Sequence, residues 1–255
     1  RVQDTEGKWS NVATATINVT SGGGSGGGDT GSLLSMNNGS GVDVQDLVVT
    51  GDYTVEFWAA LETGSNVNKY DSIFKGGQHD SASGDDPATD GILGNDLNFH
   101  AGRLRLYSTE STGSTDVIVS NTTVLADDVW NHFALVRDGD EFSIFVNGTL
   151  DATTTNALAS DLLIEDIAAN IRENKAFGGK LDELRIWDDA RTATEIANNF
   201  DTTIDPTEAD LLRYYQFDDA TDIIDSTGNA ETAGTLDYAS ISGAEWSETD
   251  VFILV

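Results

Sequence analysis

Apolar positions along this chain recur mostly with a period of two, the spacing that sends alternate side chains to opposite faces of a strand. Ala13, Ala15, Ile17 and Val19 alternate with Thr14, Thr16 and Asn18, which predicts a half-buried strand over 12–19. Leu33, Leu34 and Met36 mark a further strand, Leu47 to Val49 another and Tyr53 to Leu61 the next. Leu104 and Leu106 alternate with Arg103, Arg105 and Tyr107, and Val117 to Val119 continues the sheets. Trp130 to Arg137 and Phe142 to Val146 carry bulky apolar groups on both faces, as central strands of a stacked-sheet core do. A tight Asp138-Gly139 turn joins these two, and Asn147-Gly148 closes the second with a hairpin signal. Leu162 to Ile171 is ambiguous by pattern and is assigned to a strand ending near Ile171; Leu211 to Phe217 returns as a strand. Asn66 to Asn98 is acidic and glycine-rich, too polar for core, and reads as loop.

Helical period is clearest over Arg191 to Phe200, where Ile196 and Phe200 share a face and Thr192-Ala193-Thr194-Glu195 fits a capping box. Pro206 opens another helical turn, and Asp225 to Asn229 is a turn. The period-two runs dominate, so the expected class is all-β, with one or two short helices.

At 255 residues with 38% apolar content, the chain is long enough for one large sandwich. No apolar run approaches the ~18 residues that span a bilayer, and the N-terminus shows no secretory pattern. Because it begins inside a strand-like pattern, the chain is expected to be a fragment of something longer. Charge narrows the partners: 44 acidic residues against 13 basic give a formal −31. Such a surface repels nucleic acid and anionic lipid and attracts divalent cations. It fits a halophilic or simply highly soluble exported surface and, compatibly with that, a protein completed by calcium. Cysteine is absent, which excludes disulfides, zinc-thiolate sites and thiol nucleophiles.

Four segments follow. Residues 1–20 read as terminal strands of a preceding or host immunoglobulin-like module, too short to form a core alone. Residues 21–31 are a glycine-serine linker. Its Gly23-Gly24-Ser25-Gly26-Gly27 matches a nucleophile-elbow pattern only by accident, since no helix follows. Residues 32–245 form the main domain, and 246–255 ends in the wholly apolar Val251 to Val255, an exit strand expected to pair with the host module.

The oxygen-rich stretch Lys75 to His100 is the candidate site. Calcium takes ~6–8 oxygen ligands from carboxylates, amides and carbonyls on bent backbone. Gln78, Asp80, Asp90, Asp96 and Asn98 supply such groups, without the spacing of an EF-hand.

Several motifs resemble one known family. Thr54-Val55-Glu56-Phe57-Trp58, the W-x-H-x-A-x-V run from Trp130, Val146-Asn147-Gly148 and Leu181-Asp182-Glu183-Leu184-Arg185-Ile186-Trp187 resemble the laminin G-like, concanavalin A-like jelly roll. The resemblance covers roughly 32–240 and implies a two-sheet antiparallel β-sandwich. Within it, His132, Trp58, Trp130 and Trp187 are read as structural, with Asp182-Glu183 bridging to backbone or Arg185. Ile73 to Gln78, Asn95 to Ser108, Arg185 to Ile196 and Leu211 to Asp218 are similar to lectin-type domains of large bacterial repeats-in-toxin (RTX) adhesins. That likeness implies a monomeric module of a long, secreted, surface-attached chain that binds glycans with calcium and does not insert into membranes. His79, His100, Arg103 and Tyr107, with Asn170, Arg172 and Glu173 on another loop, are the expected sugar contacts. Glucanases on this scaffold carry E-x-D-x-E on one strand, and the chain has no such triplet. With three histidines and no H-E-x-x-H, no catalysis is expected. The alternative is a protein-interaction or spacer module in which calcium is purely structural, and a glycan-processing enzyme is the third reading.

Overall fold

The structure, a computed structural model, describes residues 34–36, 40–61, 70–76, 94–110, 113–124, 129–156, 161–168, 177–217, 226–227 and 235–238. In chain order the strands are β1 (Leu34–Met36), β2 (Ser40–Val49), β3 (Tyr53–Leu61), β4 (Tyr70–Gly76), β5 (Gly94–His100), β6 (Arg103–Glu110) and β7 (Gly113–Val119). They continue with β8 (Asn131–Asp138), β9 (Glu141–Val146), β10 (Thr149–Thr155), β11 (Leu162–Ile167) and β12 (Gly179–Trp187). Helix α1 (Ala193–Asn199), β13 (Leu211–Tyr215) and β14 (Thr235–Tyr238) complete the described elements. Two antiparallel sheets result. The first runs β1-β12-β3-β8-β9-β10, with β13 also on β12; the second runs β14-β2-β11-β4-β5-β6-β7.

Their inner faces build the core. Val55, Phe57, Phe133, Leu135 and Ile144 from the first sheet meet Phe74, Leu97, Phe99, Leu104 and Leu106 from the second. Phe99 crosses the interface edge-on to Phe133 at 5.0 Å. Each such buried side chain contributes about 1.5–3 kcal/mol by leaving water.

The outer face of the first sheet is also covered. Thr192 caps α1 with the expected capping box, and Ile196 packs on Ala134, Val136 and Phe145. The Trp58 indole N–H donates to the Phe200 carbonyl at 2.9 Å and fixes the helix end. Gly148, at φ +74°, lets Phe200 approach: a Cβ there would lie 2.7 Å from the ring.

Several elements differ from the sequence expectation. Tyr70–Gly76 and Gly94–His100 are strands, where the polarity of 66–98 predicted loop. Their inward positions, Ile73, Phe74, Leu97 and Phe99, are buried, while the other face is polar enough to mask the pattern. β10 and β14 had no predicted counterpart, and β10 is a threonine-rich edge strand. β2 begins at Ser40 rather than Leu47, and β11 stops at Ile167 rather than Ile171. Around Pro206 the chain makes a single turn closed by Glu208 N–H on the Asp205 carbonyl, not a helix. The strand over 12–19, the linker and the exit strand lie outside the described residues.

Candidate functional site

Two polar groupings occupy the outer faces, and burial separates them. Under α1, Glu56 and His132 are each 1% exposed. The Trp187 indole N–H donates to Glu56 Oε1 at 2.8 Å, and Glu56 Oε2 lies 3.5 Å from His132 Nε2. Burial raises the Glu56 pKa, against the pull of Arg185 and Arg191. Burial, then the Arg185 charge, drives His132 down to about 3. Arg185 Nη2 bonds Glu183 Oε2 at 2.6 Å, and its Nη1 donates to the Asn199 carbonyl at 3.1 Å. Tyr214 donates its hydroxyl to the same Glu183 oxygen. An acid beside a histidine resembles a catalytic pair, but no reactant reaches side chains sealed between sheet and helix. Here the family motifs serve as a second core that joins α1 to the first sheet. Trp58, His132 and Trp187 pack there as the resemblance implied, and Glu183 bridges to Arg185. Asn147, at φ +49°, takes the left-handed hairpin position.

The outer face of the second sheet is different. Leu97 and Phe99 point into the core, so Asp96, Asn98 and His100 project the opposite way on β5; on β6 the same alternation sends Arg103, Arg105 and Tyr107 outward. Register sets Asp96 opposite Tyr107, Asn98 opposite Arg105 and His100 opposite Arg103. A hydrogen-bonded floor results. Ser72 Oγ donates to Asp96 Oδ1 at 2.8 Å, and Arg105 Nε donates to Asn98 Oδ1 at 3.2 Å. Arg105 Nη1 pairs with Asp116 at 2.9 Å, and its guanidinium lies 4.6 Å from the Tyr107 ring centre. Ser72, Asp96, Asn98 and Arg105 are buried, whereas His100, Arg103 and Tyr107 are half-buried and form the accessible rim. Partial burial, then the Arg105 charge, lowers the His100 pKa, against the pull of Asp116.

The strand pairing therefore brings Asp96, Asn98, His100, Arg103 and Tyr107 together. Gln78, His79, Asp80, Asp90, Asn170, Arg172 and Glu173 lie outside the described residues. Ser72, Arg105 and Asp116 belong to the same face and were not expected; only the alternation of Arg105 with Leu104 and Leu106 could have indicated one of them. Of the five expected calcium ligands only Asp96 and Asn98 are among the described residues, and each has an oxygen already engaged. Asn98 Oδ1 is held by a guanidinium, which would repel a cation, and Asp96 Oδ1 is held by Ser72. No group of three or more His, Cys, Asp or Glu among the described residues could hold a metal.

The family described as the concanavalin A-like lectin/glucanases superfamily matches residues 36–197. No curated protein sequence matches the chain. A Bacteroides ovatus protein provisionally assigned as carbohydrate-binding is similar in structure, with TM-score 0.53 and 16% identity, over 81% of this chain and 61% of that one. Domain 4 of an extracellular GH43 arabinanase from Geobacillus stearothermophilus, solved with arabinotriose, gives 0.51 and 22% over 67% of this chain and 77% of the domain. The CBM40 of a Ruminococcus gnavus IT-sialidase, bound to α2,3-sialyllactose, gives 0.50 and 14% over 66% and 96%. At these identities the likeness is one of fold.

Proposed function

Since the chain belongs to the concanavalin A-like lectin/glucanase superfamily, we propose that it is a non-catalytic carbohydrate-binding domain that takes glycans on the outer face of β4–β7. The observation carrying this reading is the contrast between the two outer faces. One is sealed by α1, while the other presents half-buried His100, Arg103 and Tyr107 above a floor ordered by Ser72, Asp96, Asn98 and Arg105. Sugars are held by such sets: a ring face for their C–H groups and fixed polar groups for their hydroxyls. Binding without turnover agrees with the burial of the Glu56–His132 pair and with the absence of an E-x-D-x-E strand. The carbohydrate-binding relatives of the same fold lend support.

We further propose a setting for the domain: a secreted, surface-displayed adhesin of the repeats-in-toxin type. The −31 charge, the absence of cysteine and the motif resemblance support it. The proposed calcium dependence rests on Gln78, Asp80 and Asp90, and no sugar contact is assigned to an ion. Titration of the chain against a neutral and acidic glycan panel tests the reading, with calcium and then with chelator. Tyr107→Ala is expected to weaken binding at least about tenfold. A panel without any binder refutes the function, and binding that survives chelation removes the metal from it.

A further inference from the structure

Arg103 is held unlike the other arginine of this face. Its Nε donates to the Ser120 carbonyl. That carbonyl is itself immobile: Ser120 is fully buried, and its amide donates to Leu104 O at 2.8 Å. Ser120 Oγ accepts from Leu104 N at 3.0 Å and donates to Thr122 O at 2.9 Å. The guanidinium is thus oriented through its inner nitrogen by fixed backbone. Its two terminal nitrogens, the edge that forms a fork, meet no acid at ion-pair distance among the described residues.

Among the described residues, the carboxylates of β7 and β10 have other partners. Asp116 pairs with Arg105, and Asp151 accepts the backbone amides of Asn121 and Thr122. In a chain with 44 acids and 13 bases, an arginine with no acidic partner among the described residues is unexpected on charge grounds alone. We propose that Arg103 reads a carboxylate, so that the glycan taken on this face carries an acidic sugar of the uronate type. The inference rests on the glycan-binding reading above and supplies its ligand class.

The chemistry matches. A guanidinium edge donates two parallel N–H groups to the two oxygens of a carboxylate, a bidentate contact stronger than any neutral hydroxyl makes. The overall negative charge opposes approach at long range. Screening confines it to about 8 Å at physiological salt, so the local fork decides at contact.

The test is calorimetric titration of the whole chain with galacturonate against galactose and glucuronate against glucose, since each pair differs only at C6. The uronate member is expected to bind at least about tenfold tighter in one pair. Arg103→Gln is expected to erase that difference, and Arg103→Lys, which keeps the charge but not the fork, to retain part of it. Thermal unfolding of both variants checks that the fold persists, and the lysine variant carries the test if the glutamine variant does not fold. Equal affinity for acid and neutral members, or a preference unchanged in Arg103→Gln, overturns the assignment and leaves the glycan reading intact. Absence of binding to all four sugars and to the wider panel overturns both.

Discussion

Acid is expected to destabilise this domain through His132. The ring is 1% exposed, it packs 5.5 Å from Trp58 and 5.8 Å from Phe200, and neither nitrogen has a hydrogen-bond partner. Burial, reinforced by the Arg185 charge, depresses its pKa from 6.5 to about 3. The unfolded chain takes up a proton near pH 6.5 that the native state refuses until about pH 3. Stability is therefore complete above pH 6.5 and falls as pH drops, by about 1.4 kcal/mol per unit. Across the 3.5 units between the two values the loss reaches on the order of 5 kcal/mol, comparable to the ~5–15 kcal/mol that holds a domain together. Glu56 acts with the opposite sign: its raised pKa contributes stability below the unfolded value and loses it as pH rises through the folded one. The assay is urea unfolding followed by tryptophan fluorescence at half-unit steps from pH 7 to 4. It compares the native chain with His132→Gln, His132→Leu and, as the control of opposite sign, Glu56→Gln. The His132 variants are expected to be less stable at pH 7 yet flatter with pH. Parallel profiles for the native chain and both His132 variants would refute the reasoning.

Three other outcomes are expected. Arg185→Met leaves Glu183 without its charged partner, keeping the Tyr214 hydroxyl, and the Asn199 carbonyl without the Arg185 donor, so it is expected to cost about 3–5 kcal/mol in chemical unfolding. Adding Glu183→Gln to it is expected to recover part of that loss. Gly76→Ala places a Cβ 2.1 Å from the Leu163 carbonyl oxygen, backbone that cannot yield locally, and is expected to cost at least about 2 kcal/mol by the same measurement. Thr192→Ala removes the side-chain half of the capping box, while the backbone N–H at 192 still donates to Glu195, and is expected to cost about 1 kcal/mol, with the loss in helical circular dichroism preceding the loss of the sheets.

Strands with apolar groups at alternate or successive positions were legible because burial needs no partner to be named. Tyr53–Leu61 was predicted residue for residue, and α1 followed from Thr192 and Glu195. The failures at β4 and β5 share one cause. β4 and β5 have inner faces of Ile73, Phe74, Leu97 and Phe99 behind an outer face of Ser72, Asp96, Asn98 and His100. Read along the chain, those residues average to polarity and suggest a loop.

Composition and local pattern alone determined the all-β class, the acidic surface and the hairpin at Asn147, while the structural part played by Trp58 and Trp187 came from the motif resemblance. Tertiary pairing decided the rest. Arg105 reaches Asn98 and Asp116 only because β6 lies between β5 and β7 in one register, and a one-residue slip of β6 would turn Arg105 to the other face. The sealing of Glu56 and His132 likewise depends on where α1 lands, more than 55 residues beyond either. Side-chain chemistry is written in the sequence, but access and partnership are properties of the packed sheets. Those two properties separate a buried brace from a binding face.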